Sequence, residues 1–293
     1  MERKTEVSEG LLKDSVVSCF ADEIAVSLDR QIEVLKELEI TQIELRSTDG
    51  VGVADYDEKR AKDVKRKLDY AGIKVSAIGS PIGKIKITDD FAEHKKQLLH
   101  MERLADLFET PYIRIFSFYL PGRETAAQYE DEVFYRMQQM VGEVEKNGKI
   151  LLHENEKEIY GESAENCRKL MERFYGEHFQ CTFDFANFVQ CGEDTREAYR
   201  LLKHYIAYIH IKDARSADHS VVLPGVGDGH LKEILTDLDR SGYKGCLSLE
   251  PHLANFAGLQ NLEHNAKMRE ENNTEKAFRE AYDAFCRLTG RKK

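Results

Sequence analysis

Short apolar runs alternate with longer amphipathic segments along the whole chain of 293 residues. Each run is rich in β-branched or aliphatic residues, which is typical of a strand buried on both faces of a parallel sheet. Eight runs therefore predict strands: VVSCF (16–20), QIELRS (42–47), KVSAIGS (74–80), YIRIFSF (112–118), KILLHE (149–154), QCTFD (180–184), IAYIH (206–210) and GCLSLE (245–250).

Between these runs, apolar residues recur at three- and four-residue spacing, as in Leu28, Ile32, Leu35 and Leu38. This spacing predicts amphipathic helices, and the further ones cover about 57–71, 91–108, 125–147, 163–175, 194–204, 229–241 and 275–288. Glycines suited to helix C-caps follow three of them, namely Gly72, Gly148 and Gly242.

Eight strand–helix units predict a single (β/α)₈ TIM barrel over residues 1–293. The rival is a doubly wound sheet, but no GxGxxG or GxxxxGK motif follows the first strand, and no Pro/Ser-rich linker divides the chain. Residues 1–14 are expected to form a polar N-terminal tail. Residues 256–274 are expected to form a long loop near the barrel mouth that covers the pocket or makes subunit contacts.

Composition indicates which classes of partner and which cell compartment to expect. The formal charge is −10, and the 43 Lys and Arg residues are scattered, so nucleic acid is not an expected partner. No apolar run reaches the ~20 residues of a membrane span, so no membrane partner is expected. The six cysteines lie far apart without a CxxC pair, which predicts reduced thiols and a cytoplasmic location.

Four successive predicted strands end in a polar group that can ligate a metal: Glu154, Asp184, His210 and Glu250. Any one of them alone could be a helix N-cap or a solvated loop residue. In a barrel the carboxyl ends of the strands converge, and three carboxylates meeting there repel one another unless a cation is bound. We therefore predict one divalent cation; the donors favour Mn²⁺, with Mg²⁺, Co²⁺ and Zn²⁺ as alternatives.

Residues beside this set are candidates for substrate contact. Glu156 lies past its strand and could reach a substrate, or it could be a solvated loop acid. Asn187 could donate to a substrate hydroxyl or form an Asx-turn. Lys212 faces the same side as His210 and could contact a hydroxyl or a phosphate. His153 alternates with Glu154, so it should point away from the barrel interior.

Two further features are open to interpretation. Glu44 and Arg46 share one face of the second strand and are expected to lie inside the barrel as a charge pair. The glycine-rich PGVGDG (224–229) could bind phosphate, or it could be a flexible loop in which Asp228 caps the next helix. The role of His252 is left undecided.

Five motifs in order carry a resemblance: HENE (153–156), FDFAN (183–187), HIKDA (210–214), PGVGDG (224–229) and SLEPH (248–252). With them the chain resembles the xylose-isomerase-like TIM-barrel superfamily, the sugar phosphate isomerase/epimerase group. The resemblance implies that Glu154, Asp184, His210 and Glu250 bind the metal, and that Glu154 and Glu250 transfer protons as in ketose 3-epimerases.

The chain departs from those epimerases at three positions. Asn187 stands where they usually have a histidine, and Tyr160 replaces an acid. Arg215 is one position away from an expected arginine, and we take it as the corresponding substrate-binding candidate.

Three functions follow from this sequence. The first is a metal-dependent isomerase or epimerase of a sugar, sugar phosphate or keto-sugar, acting through a metal-stabilised enediolate with two glutamates as acid and base. The second is a dehydratase or lyase on a keto-sugar or inosose, and the third is a non-catalytic sugar-binding barrel. The expected partner is a small-molecule sugar or sugar phosphate, and self-association into a homo-oligomer is left open.

Overall fold

Eight parallel strands form the centre of the computed structural model, which describes residues 10–256 and 273–292. They are β1 (Val16–Cys19), β2 (Gln42–Leu45), β3 (Lys74–Ile78), β4 (Tyr112–Ile115), β5 (Ile150–Glu154), β6 (Phe179–Asp184), β7 (Ile206–Ile211) and β8 (Cys246–Leu249). Hydrogen-bonded neighbours run in the order β1-β8-β7-β6-β5-β4-β3-β2, and β1 contacts β2 at the remaining seam. The sheet is thus a nearly closed barrel, and the predicted TIM-barrel fold is confirmed.

Helices follow the strands and surround this barrel. They are α1 (Leu28–Glu37), α2 (Glu58–Ala71), α3 (Phe91–Leu107), α4 (Ala126–Val144), α5 (Ala164–Phe174), α6 (Phe185–Gln190), α7 (Thr195–Leu202), α8 (Leu231–Arg240) and α9 (Thr274–Thr289). All of the predicted helices are present, with ends that differ by a few residues. The short α6 was not predicted.

The helices form where the sequence supplies an apolar face and caps. In α5 the buried residues Cys167, Leu170, Met171 and Phe174 recur at helical spacing and pack on the barrel. The predicted glycine caps are confirmed, because Gly72, Gly148 and Gly242 all adopt positive φ (73°, 63° and 77°).

The differences from prediction concentrate at the carboxyl ends of the strands. The second, third and fourth predicted strands run too far, because the chain leaves the barrel sheet after Leu45, Ile78 and Ile115. Two small antiparallel ribbons, Ser47–Thr48 with Val51–Gly52 and Asp213–Ala214 with Val221–Val222, were also missed. These segments are short and depend on tertiary contacts, so hydrophobic periodicity does not reveal them.

The barrel interior changes character along its axis. Leu152, Tyr208 and Cys246 belong to an apolar cluster inside the barrel. The Tyr208 hydroxyl hydrogen-bonds Ser76 Oγ at 2.8 Å. Because inward side chains alternate along a strand, His210 lies one layer nearer the mouth than Tyr208. Between the His210 layer and the barrel mouth, the interior is lined mainly by charged side chains.

The two predicted terminal segments are only partly described. Of residues 1–14, residues 1–9 lie outside the described residues, whereas Leu12 is buried and its backbone NH donates to Asp239. Of the predicted loop 256–274, residues 257–272 lie outside the described residues. Among the helices of 10–256 and 273–292, none is long and apolar enough to cross a bilayer.

Candidate metal centre

The four predicted ligands meet in the barrel mouth. Glu154, Asp184, His210 and Glu250 are all buried, and one ligand atom from each lies within 4.8 Å of all the others. His210 Nδ1 is 3.0 Å from Glu154 Oε1, 3.4 Å from Glu250 Oε2 and 3.8 Å from Asp184 Oδ2. Neighbouring ligands of an octahedral ion with bonds of about 2.1 Å are about 3.0 Å apart, so only small shifts separate this cluster from coordination.

The donor chemistry also fits a divalent cation. Three carboxylates and one imidazole form a hard donor set suited to Mg²⁺ or a first-row metal. The carboxylates already attract positive charge from the chain itself: Lys212 Nζ lies 3.1 Å from Asp184 Oδ2 and 3.3 Å from Glu250 Oε2. The cluster could therefore hold a metal, with Lys212 directly beside it.

Glu44 orients the imidazole of His210. Its Oε2 lies 3.1 Å from His210 Nε2, which leaves Nδ1 facing the other three ligands. The Phe20 ring packs against the imidazole in an edge arrangement with 5.3 Å between ring centroids. A carboxylate on the distal nitrogen of a metal-binding histidine fixes the ring and raises its basicity.

Two asparagines hold the acids in place. Asn155 brackets the backbone of Asp184, accepting from its NH at 2.9 Å and donating to its carbonyl at 3.0 Å. Asn187 donates to Glu154 Oε1 at 3.3 Å, and its backbone NH donates to Asp184 Oδ1 at 2.8 Å. Asp184 is thereby the N-cap of α6 as well as a candidate ligand. The sequence analysis missed Asn155, although it lies inside the quoted HENE motif.

In each glutamate of the cluster, one of the two carboxylate oxygens binds an arginine. Arg114 donates to Glu154 Oε2 at 2.7 Å, and Arg46 donates to Glu250 Oε1 at 2.9 Å. The oxygens that face His210 are the other ones, Glu154 Oε1 and Glu250 Oε2. Each glutamate thus places one carboxylate oxygen beside His210 and the other beside an arginine.

The predicted pairing of Glu44 with Arg46 is wrong. Arg46 instead binds Asp22 at 2.9 Å, Glu23 at 3.2 Å and Glu250 at 2.9 Å, while Glu44 binds His210. Residues two apart on a strand are separated by about 7 Å along it, so each reaches a different layer of the barrel.

Electrostatics keep both glutamates ionised. Burial raises the pKa of Glu250, but Lys212 and His252 outweigh it and hold this pKa well below the usual value. Burial likewise opposes ionisation of Glu154, and His210 and Arg114 outweigh it to lower the pKa. The pKa of Asp184 is raised because burial exceeds the attraction of Lys212.

The histidines carry the compensating charge. Burial lowers the pKa of His210, but Glu154 and Glu44 reverse the effect and raise it well above its usual value. His252 lies 3.3 Å from Glu250 Oε1, and Glu23 and Glu250 raise its pKa to about 9 against the effect of burial. His252, undecided from the sequence, therefore belongs to the site.

Other sequence candidates are placed as follows. Glu156 is buried between Lys84 (3.2 Å) and Lys157 (3.0 Å). Arg215 is exposed and lies close enough to Asp228 to contribute to the lowered pKa of that carboxyl. As predicted, His153 points outward and packs against Phe179.

The glycine-rich loop surrounds a carboxylate of the chain itself. The backbone NH groups of Gly225, Gly227 and Gly229 donate to Asp213 at 2.9, 2.9 and 3.0 Å. Its amides are therefore occupied, which contradicts phosphate binding by this loop. Asp228 does not cap α8 as expected, since it accepts from Ser216 and the N-cap is His230.

A cavity of about 470 Å³ opens beside the cluster. Its wall includes Arg46, Lys84, Arg114 and Phe116, from the β2–β4 side of the mouth. Through Arg114 and Arg46 this cavity is one side chain away from Glu154 and Glu250. Its volume lies within the ~300–1,000 Å³ typical of small-molecule sites.

Comparison with known proteins identifies relatives by fold. The family model described as xylose isomerase-like TIM barrel matches residues 32–284. No curated protein matches the chain by sequence.

Solved structures match over nearly the whole barrel. D-psicose 3-epimerase in the presence of D-fructose is 14% identical with TM-score 0.72, covering 94% of this chain and 100% of that one. IOLI protein with a bound zinc atom has the same identity and TM-score and covers 94% of this chain and 98% of that one. The probable 3-DHS dehydratase AsbF from Bacillus anthracis is 17% identical with TM-score 0.66, covering 80% and 92%.

Proposed function

This chain belongs to the xylose isomerase-like TIM-barrel family, and on that premise we propose that it is a divalent-metal-dependent isomerase or epimerase of a sugar, sugar phosphate or keto-sugar. The observation that carries the proposal is the pair Glu154 and Glu250, two buried carboxylates in one cluster, each also bound to an arginine. The likeness to D-psicose 3-epimerase supports a sugar as the substrate class.

Glu154, Asp184, His210 and Glu250 would hold the cation, with Glu44 orienting the imidazole. When bound, the cation lowers the cost of negative charge on the substrate oxygens during proton removal. The bound zinc atom of IOLI protein supports a metal in this fold. We keep Mn²⁺ as the proposed ion, with Mg²⁺, Co²⁺ and Zn²⁺ as alternatives.

The chain's own residues would move the proton. Glu154 and Glu250 are held ionised near neutral pH, so either can accept a proton from a carbon next to a carbonyl. In an epimerisation, Glu154 would remove the proton, and Glu250 would return to the opposite face of the carbon a proton that it takes from His252, 3.3 Å away. Glu154 would then release its proton to solvent, and solvent would reprotonate His252. Arg114 and Arg46 fix the two carboxylates while this happens. Asn187, Glu156, Lys212 and Arg215 stay proposed substrate contacts.

Proton exchange with solvent tests this proposal. The Mn²⁺-loaded protein is incubated in D₂O with a panel of ketoses that includes acidic sugars and sugar phosphates, and deuterium incorporation is followed by NMR. Glu154→Gln and Glu250→Gln should each slow exchange by about 10²–10⁴-fold because each removes an acid/base group. Glu172→Gln, on the exposed face of α5, is the matched control. Wild-type rates in either site variant, or no exchange with any sugar, would refute the proposal; the latter result would favour the non-catalytic sugar-binding barrel.

A dehydratase is the second candidate, and one observation favours it. His252 lies 3.3 Å from Glu250, with its pKa raised to about 9, so a proton donor stands beside a proton acceptor. Elimination of water needs a base on the carbon and an acid on the departing hydroxyl. The structural likeness to the probable 3-DHS dehydratase is consistent with it. In the same D₂O experiment, loss of water from the sugar identifies elimination, and deuterium with an intact skeleton identifies epimerisation.

A further inference from the structure

The cavity beside the metal cluster has a cationic wall, which we define as Lys84 and Arg114 on the ring of Phe116. Lys84 Nζ lies 4.3 Å and the Arg114 guanidinium carbon 4.5 Å from the centroid of that ring. One aromatic ring thus holds two cations at the same corner of the cavity. Lys84 belongs to the loop after β3, and Arg114 belongs to β4.

The third cation of the cavity, Arg46, provides the contrast. Arg46 is bound by three acids, Asp22, Glu23 and Glu250, so its charge is more than offset. Lys84 and Arg114 bind one acid each, Glu156 and Glu154. The positive charge of the cavity is therefore concentrated at the cationic wall.

Both acids of the cationic wall are shared with other positive groups. Glu156 also lies 3.0 Å from Lys157 Nζ. Glu154 also lies 3.0 Å from His210 and is a candidate metal ligand. An acid divided between several cations neutralises each of them only in part.

An unused donor points to a missing acceptor. Arg114 is 3% exposed, and its Nε has no hydrogen-bond partner among the described residues. A buried guanidinium nitrogen without an acceptor is costly unless a ligand supplies one. Two acids also line the cavity, but Asp22 is engaged by Arg46 and Ser47, and Asp55 is exposed at the rim.

We infer that the substrate of this site carries an anionic group, a carboxylate or a phosphate, that binds the cationic wall. The rest of the substrate then extends from the cationic wall toward Glu154 and Glu250. The inference rests on the proposed function and narrows its substrate class to acidic sugars or sugar phosphates. Arginine and lysine side by side suit either anion, because both present several acceptor oxygens.

Calorimetric titration of the full chain loaded with Mn²⁺ tests the inference with two matched ligand pairs. One pair is D-fructose and D-fructose 6-phosphate, and the other is D-glucose and D-glucuronate. We expect at least one anion to bind about tenfold or more tightly than its neutral counterpart. Preference in the first pair alone identifies a phosphate, and preference in the second alone identifies a carboxylate.

Variants of Lys84 locate the effect, since Lys84 touches neither proton-transfer glutamate in the structure. Lys84→Met should remove most of the preference for the anion, and Lys84→Arg should retain it. Lys96→Met, an exposed lysine on α3, is the control and should bind as wild type does. Bound Mn²⁺ and the melting temperature of each variant show whether the site is intact.

Two results would overturn the inference: no preference for either anion in the wild type, or a preference that Lys84→Met leaves unchanged in a folded, Mn²⁺-loaded protein. The titration reports affinity and the D₂O experiment reports proton exchange, so the two proposals fail separately. Proton exchange on neutral sugars without any anion preference would refute only this inference. Anion preference in a protein that exchanges no protons would refute only the proposed reaction.

Discussion

The two halves of the barrel mouth differ in the charged side chains that dominate them. The β5–β8 half contributes Glu154, Asp184 and Glu250 around His210, whereas the β2–β4 half contributes Arg46, Lys84 and Arg114. The cluster's two glutamates join the halves through the ion pairs Glu154 with Arg114 and Glu250 with Arg46, and Lys84 with Glu156 and Glu44 with His210 also join them. Buried charges are tolerated when oppositely charged partners accompany them, so the buried acids of one half and the cations of the other stabilise each other. The three carboxylates of the cluster can therefore lie together before any ion is bound.

The largest effect on this arrangement is expected from removing the arginine of one glutamate–arginine pair. Arg114→Met leaves Glu154 buried without its guanidinium partner, and metal-free protein should lose about 3–5 kcal/mol of unfolding free energy. With Mn²⁺ the loss should be smaller, because a bound cation also offsets the charge of Glu154. Urea denaturation with and without Mn²⁺ measures both values.

Arg200→Met removes an exposed arginine on α7 and serves as the control, with an expected change within about 0.5 kcal/mol. If Arg114→Met were equally destabilising with and without Mn²⁺, a bound metal ion would not offset the charge of Glu154 in place of Arg114.

A smaller effect is expected from Glu44, an acid of the β2–β4 side that reaches across to the imidazole. Glu44→Gln weakens the orientation of His210, and Mn²⁺ affinity should fall about 10–100-fold. Competition with a chelating dye measures the dissociation constant. Glu58→Gln, at an exposed position of α2, should leave this dissociation constant unchanged. Unaltered affinity in Glu44→Gln would mean that the β5–β8 half orients its imidazole unaided.

For a change of one pH unit, the smallest expected effect is the dependence of metal affinity on pH. The folded pKa of His210 lies well above 6.5, so its contribution to metal-free stability is fully present below about pH 6.5 and is lost as pH rises through the folded value. Metal binding needs the neutral imidazole and must displace this proton. Mn²⁺ affinity should therefore rise up to about tenfold per pH unit between about pH 6 and 8. A flat profile from the same dye assay would show that His210 is already neutral.

The sequence reveals the two halves unequally. The acidic half was predicted because Glu154, Asp184, His210 and Glu250 each end an apolar run, and fold geometry brings strand ends together. Arg114 was missed although an arginine inside the run YIRIFSF signals a buried charge that needs a partner. Lys84 and Asn155 lie in irregular loops, where their partners are set by tertiary contacts that periodicity does not encode. The pairing of Glu44 with Arg46 failed for the same reason, since nearer acids compete for the arginine.

The glycine-rich loop 224–229 binds a carboxylate of the protein itself and not a phosphate. Its three amides converge on the Asp213 side chain, and a Cβ at Gly227 would come within 2.4 Å of Asp213 Oδ1. A side chain at position 227 would therefore collide with Asp213, and loss of the Asp213 carboxylate would leave the three amides without this acceptor. Protein engineers who graft a new segment here should transplant both positions together, or the end of β7 that presents Lys212 loses its anchor.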